Sequence, residues 1–168
     1  KLSIVVPIGH KDQNFKLLDQ LKDKFKDHEI IAACSSQNFE AKKLEEHVDK
    51  FLTIQNSTRA KASNIGAEAA NNSLLWFIHL DSDLSLINPS DLEKIDKEKI
   101  NTFLLKFDNE KLRLNAKSAN FRTKYLGLPF GDQSFIVHKK LFNFIGEFTI
   151  GLYEGEDHEF IWKAKSVG

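Results

Sequence analysis

Two aspartates one residue apart, Asp81 and Asp83, close the apolar run LLWFIHL that begins at Leu74. A buried segment that ends in two negative charges calls for something positive beside it. Mg²⁺ and Mn²⁺ take oxygen ligands and are commonly held by one or two carboxylates together with substrate phosphates. The pair is therefore a candidate divalent-metal site. On a strand both carboxylates would point the same way, and at a strand end they can converge on one ion. His79 shares that alternation, although a lone histidine is more often structural. D-x-D also occurs in ordinary turns, so the pair gains meaning only from its company.

That company comes from two other stretches. In STRAKASNIGAEAA, Ser57 or Thr58 is placed to cap a helix. A helix N-terminus attracts anions, and Arg59 adds a bidentate phosphate donor. The small face formed by Ala62, Ile65, Gly66 and Ala69 would let this helix lie close against a sheet. An alanine-rich core helix accounts for the alanines, but not for Arg59 and Asn64. In GEDHEF, the acids Glu156, Asp157 and Glu159 surround His158 at the start of a predicted helix. Acids there complement the helix dipole; a carboxylate base taking a proton from a hydroxyl is the chemical alternative.

These residues need a scaffold, and the pattern predicts one. LSIVVPI, HEIIAACS, KFLTIQ and SLLWFIHL read as strands, separated by helices over KDQNFKLLDQLKDKF, FEAKKLEEHV and the STRAKASNIGAEAANN stretch. Strands alternating with helices predict βαβ units and a parallel sheet covered on both faces. Ligands of such sheets sit at the carboxyl ends of strands, where Asp81 and Asp83 fall. Beyond Asp83 a short polar helix is expected over NPSDLEKIDKEK. INTFLLKFDN and KLRLNAK are expected as two strands joined by the turn Asp108-Asn109-Glu110, and SANFRTKYLGLPFG mostly as a loop. QSFIVHKKLFNFIG reads as a strand running into a helix, and EGEDHEFIWKAKSVG as a last helix. The expected fold class is α/β, one domain over residues 1–168 with a mostly parallel mixed sheet flanked by helices.

Bulk properties narrow the function. At 168 residues, with 41% apolar and 29% charged residues, the chain is large enough to bury a core and has a globular profile. Its formal net charge is zero, so nothing marks it for nucleic acid. No apolar run is long enough for a transmembrane segment. The single cysteine, Cys34, sits in an apolar run, reads as a buried thiol, and suits a reducing cytoplasm. The chain opens without methionine and stops abruptly at WKAKSVG, which leaves room for a missing C-terminal piece.

Taken in order, these segments resemble the family 2 glycosyltransferases, which have the A-type nucleotide-sugar-transferase (GT-A) fold. SIVVPI is similar to that family's first strand, and TRAKASNIGAEAA resembles its R-A-x-x-x-N-x-G-A helix at Arg59, Ala60, Asn64, Gly66 and Ala67. WFIHLDSD resembles the strand leading into D-x-D. PFGDQSFIVHKKLFNFIGEF resembles the G-D-Q segment and G-G-F element, and GEDHEFIWKAKSVG the E-D helix. The resemblance implies a metal-dependent, inverting hexosyltransferase acting in polysaccharide biosynthesis. Its Mn²⁺ or Mg²⁺ would be held by Asp81 and Asp83, and its nucleotide-diphosphate sugar by Pro7, Arg59, Asn64 and Asp81. Asp157, beside Glu156, would be the general base, and Asp132 and Gln133 would lie on the side of a carbohydrate or lipid-linked acceptor. The location implied is the cytoplasm, or the inner face of its membrane.

The chain departs from that pattern in places. Its second predicted strand ends in CSSQNF, with no acid at Cys34, Ser35 or Ser36 where the family usually contacts the nucleoside. After the first strand, only Asp12 of PIGHKD could supply one. Two other readings stay open. A nucleotidyltransferase would also pair aspartates around a metal, but PIGHKD lacks its glycine-rich basic loop. A transferase-like domain without catalysis would bind sugar or a partner protein.

Overall fold

In the computed structural model, residues 1–104, 113–127, 129, 134–151 and 155–167 are described. The β-branched opening run forms β1 (Ser3–Ile8), all of it buried. In α1 (Lys16–Lys24), Leu17, Leu18 and Leu21 make the buried stripe. β2 (Glu29–Ser35), a 3₁₀ helix at Glu40–His47 and β3 (Lys50–Ile54) follow. α2 (Arg59–Ala69) is capped by Thr58, whose hydroxyl accepts a hydrogen bond from the Lys61 amide at 3.2 Å, and leads to β4 (Leu74–Phe77). A 3₁₀ turn at Pro89–Lys94 precedes the two-residue β5 (Asn101–Thr102). The chain then forms α3 (Arg113–Phe121), a π-helical segment (Arg122–Leu126), β6 (Phe135–His138), α4 (Lys139–Ile145) and α5 (Glu156–Ser166).

The architecture is α/β, with a six-stranded mixed sheet in the order β3-β2-β1-β4-β6-β5. β1 pairs in parallel with both β2 and β4, and β2 in parallel with β3. β6 runs antiparallel to β4, and β5 antiparallel to β6. The strand order reverses at β1, since the chain builds outward through β2 and β3 and then returns to β1's other side as β4. Open sheets bind their ligands at such a reversal, outside the carboxyl ends of the strands. Here that is the crevice beyond Ile8 of β1 and Phe77 of β4.

Strand alternation sorts the core onto two faces. Ile4, Val6, Ile8 and Trp76 pack with Leu17, Leu18, Leu21 and Phe25 on the α1 side. Val5, Ile31, Leu75 and Phe77 pack with α2, α4 and α5 on the other. Gly66 is what lets α2 lie flat on that second face, because a Cβ there would stand 2.4 Å from Cγ1 of fully buried Val5. Gly66→Ala is therefore expected to destabilise the protein by about 1–3 kcal/mol despite alanine's better helix propensity, as read by urea denaturation. Cys34 is buried, and burial, with the Asp12 charge second, pushes its thiol up to about 11. At neutral pH it is protonated and inert.

The structure corrects the reading between β5 and β6. The expected strand over KLRLNAK is helical from Arg113, and most of the expected loop SANFRTKYLGLPFG is helical through Leu126. Two alternating leucines indicated a strand. The segment RLNAKSANF contains no β-branched residue and is rich in good helix formers, and that propensity prevails. Gly127, with φ of 60°, is the left-handed cap that ends the helical run. The expected turn Asp108-Asn109-Glu110 lies outside the described residues.

Candidate active site

Two adjoining hollows of about 410 and 210 Å³ open at the carboxyl ends of β1 and β4 and share Pro7, Asp12 and Arg59. The larger is also lined by Lys11, Asn14, His79 and Asp81, and the smaller by Ser57 and Thr58 at the start of α2. Pro7 reaches this place on β1, Arg59 on the first turn of α2, and His79 and Asp81 on the segment that leaves β4. The predicted donor residues Pro7, Arg59 and Asp81 thus meet in one cleft.

The floor beyond β1 is held by a residue that the sequence reading passed over. Asn38, 6% exposed, donates from Nδ2 to the carbonyls of Gly9 and Asp12 at 2.7 and 2.9 Å. The Asp12 carboxylate in turn accepts the Gly9 amide at 2.7 Å. The loop between β1 and α1 is therefore tied from both directions, and the tie comes from just after β2, where the nucleoside-contacting acid was missing. Only the polarity of SSQNF after an apolar strand hinted at it.

The two acids of the predicted metal pair have different surroundings. β4 ends at Phe77, with one further sheet bond from the Ile78 amide to Val5. The Ser82 amide then bonds the His79 carbonyl, closing a turn. Strand alternation therefore does not extend to the acids, although His79 and Asp81 line the same hollow. Asp81 lines the cleft. Asp83 Oδ1 accepts from the Ser85 amide at 2.8 Å and from Gln20 Nε2 at 3.2 Å, while Gln20 Oε1 takes the Leu84 amide. The Ser85 amide, and after it Gln20, hold the Asp83 carboxyl below its usual range. Among the described residues, no three His, Cys, Asp or Glu side chains gather as an ion site. Asp81 and Asp12 bring carboxylate oxygens to the cleft lining, a donor type that hard cations take together with phosphates and water.

α5 closes the other side. Glu156 and Asp157, 7% and 9% exposed, stand in its first turn. Glu156 Oε1 lies 3.7 Å from Arg59 Nε, and Asp157 Oδ2 lies 3.9 Å from His79 Nε2. Each acid thus sits directly behind a cleft residue. Neither protein-family models nor curated proteins match this chain. The placement of α5 comes from aromatic packing. Phe160, one turn beyond Asp157, stacks with Phe142 and Phe148, and both contact Phe77 at the end of β4, with ring centres 4.9–5.3 Å apart.

Asn64 stands apart from the cleft lining. Its side chain grips the backbone of Phe148 twice, donating to the carbonyl at 2.8 Å and accepting the amide at 3.2 Å. It anchors the segment that carries Phe148 into the aromatic cluster. Asp132 and Gln133, predicted on the acceptor side, lie outside the described residues.

Proposed function

We propose that the chain is a glycosyltransferase of the GT-A class, moving a sugar from a nucleotide-diphosphate donor to an acceptor hydroxyl with inversion. The observation that carries this reading is the convergence of Arg59, Asp81 and the two α5 acids at the strand-order reversal between β1 and β4. An anionic diphosphate suits the start of α2, where Arg59 and the helix dipole both favour negative charge. Asp81 would hold Mn²⁺ or Mg²⁺, which supplies Lewis-acid neutralisation of the diphosphate. Asp157 would take the proton of the acceptor hydroxyl as its oxygen bonds to the anomeric carbon and the bond to the diphosphate breaks. With one base and one displacement, no covalent sugar–protein intermediate forms. His79 and the buried position of Asp157 limit its freedom to turn, which holds the carboxylate in place.

A second reading, a binding module without catalysis, draws on the engagement of Asp83 by Gln20. Calorimetry with Mn²⁺ and a panel of nucleoside diphosphates separates the two. The transferase reading expects metal-dependent binding that Asp81→Ala removes and Asp83→Ala largely keeps. Absence of any metal-dependent nucleotide binding would sink it.

A further inference from the structure

A smaller hollow, of about 100 Å³, opens on α5 and is lined by none of the residues so far assigned. It is lined by Arg122, Pro129, His158, Ile161 and Trp162. His158, Ile161 and Trp162 recur at the three- and four-residue spacing that places them on one helix face. The π-helical segment after α3 brings Arg122 across to meet them, with Nη2 of Arg122 3.5 Å from Nε2 of His158. Pro129 and Ile161, 4% exposed, form an apolar base. Trp162 is 63% exposed, an unusual position for the largest apolar side chain.

This combination has a recognisable chemistry. A guanidinium beside an imidazole offers hydrogen-bond donors to an oxyanion, and Arg is suited to carboxylate and phosphate geometry. An exposed indole face gives the apolar side of a sugar ring a flat surface to rest on. The hollow is sized for a small charged group, with Trp162 standing at its rim. We propose that it is a binding subsite for a sugar bearing an oxyanion, phosphate or carboxylate. His158 directly follows Asp157 in the first turn of α5, so the subsite would lie on the neighbouring face of the helix turn that carries the acid assigned as base. On the transferase reading, which this role as acceptor subsite rests on, the acceptor is a negatively charged carbohydrate.

The two tryptophans make the test direct, since Trp76 is fully buried and only Trp162 is exposed. Tryptophan emission is titrated with glucose 6-phosphate, glucuronate and glucose, without metal or nucleotide. The charged sugars are expected to change the emission and glucose is not. A response to glucose 6-phosphate alone selects phosphate, and a response to both selects any oxyanion. Arg122→Ala should weaken binding by about tenfold or more, and Arg122→Lys by less. In Trp162→Phe the emission response disappears, while calorimetry still registers weakened binding. An equal response to glucose, no response to any of the three, or unchanged affinity in Arg122→Ala would overturn the proposal. If Arg122→Ala does not fold, loss of the response to the charged sugars in unaltered protein at raised salt takes its place, and a salt-insensitive response refutes the role of charge. Nucleotide calorimetry on the same preparation reports on the other cleft. Binding of charged sugars without nucleotide binding refutes the transferase reading and leaves a carbohydrate site, whereas the reverse refutes only the subsite.

Discussion

Asp157→Asn is expected to bind Mn²⁺ and nucleoside diphosphate as the unaltered protein does, yet to lose transfer by about 10²–10⁴-fold, the usual contribution of a positioned general base. Asparagine keeps the shape beside His79 but cannot accept the hydroxyl proton. The comparison requires two measurements on one preparation, nucleotide affinity by calorimetry and sugar transfer to an acceptor. A parallel loss of affinity would make Asp157 a ligand of donor or metal instead of a base. Asp157 lies beside His79 at the start of α5, while Asp81 and Arg59 line the cleft, so donor affinity is expected to be insensitive to the change.

The second large effect concerns stability. Phe160→Ala should cost about 3–5 kcal/mol, since it deletes a fully buried ring from a cluster that links β4, α4 and α5. Urea or thermal unfolding reads the loss. The same change removes the packing that holds the first turn of α5, so transfer should fall further than nucleotide affinity does. A stability change under 1 kcal/mol would show that the site can collapse around the missing ring and that α5 is held by other contacts.

The sequence reading succeeded where patterns were long and regular. Apolar runs located the first four strands, and their alternation with helices implied the parallel sheet. The reading failed where the pattern was short. In KLRLNAK two alternating leucines, and in SANFRTKYLGLPFG two glycines and a proline, outweighed the helix propensity of their neighbours. Residue types at the site were legible: Arg59, Asp81, Glu156 and Asp157 all stand at or directly behind the cleft. Directions were not. Whether Asp83 joins Asp81 depends on β4 ending at Phe77 and on Gln20, more than sixty residues earlier, reaching across to it. Asn64 was equally opaque, because its partner is a backbone that sequence spacing cannot place. Trp162 and Arg122 became neighbours only once the segment before Gly127 proved helical.

The tie that Asn38 makes to the β1–α1 loop has a thermodynamic consequence. Ordering a free backbone costs about 1–2 kcal/mol per residue, and a loop that stiffens only when its ligand arrives subtracts that cost from affinity. Here the residues from Gly9 to Asp12 are fixed by folding, through a side chain that itself faces no ligand. The wall of the cleft is therefore rigid before anything enters. A ligand bound at this edge would be spared most of that penalty, and Asn38→Ala, by loosening the loop, is expected to weaken such binding without removing a group that touches the ligand.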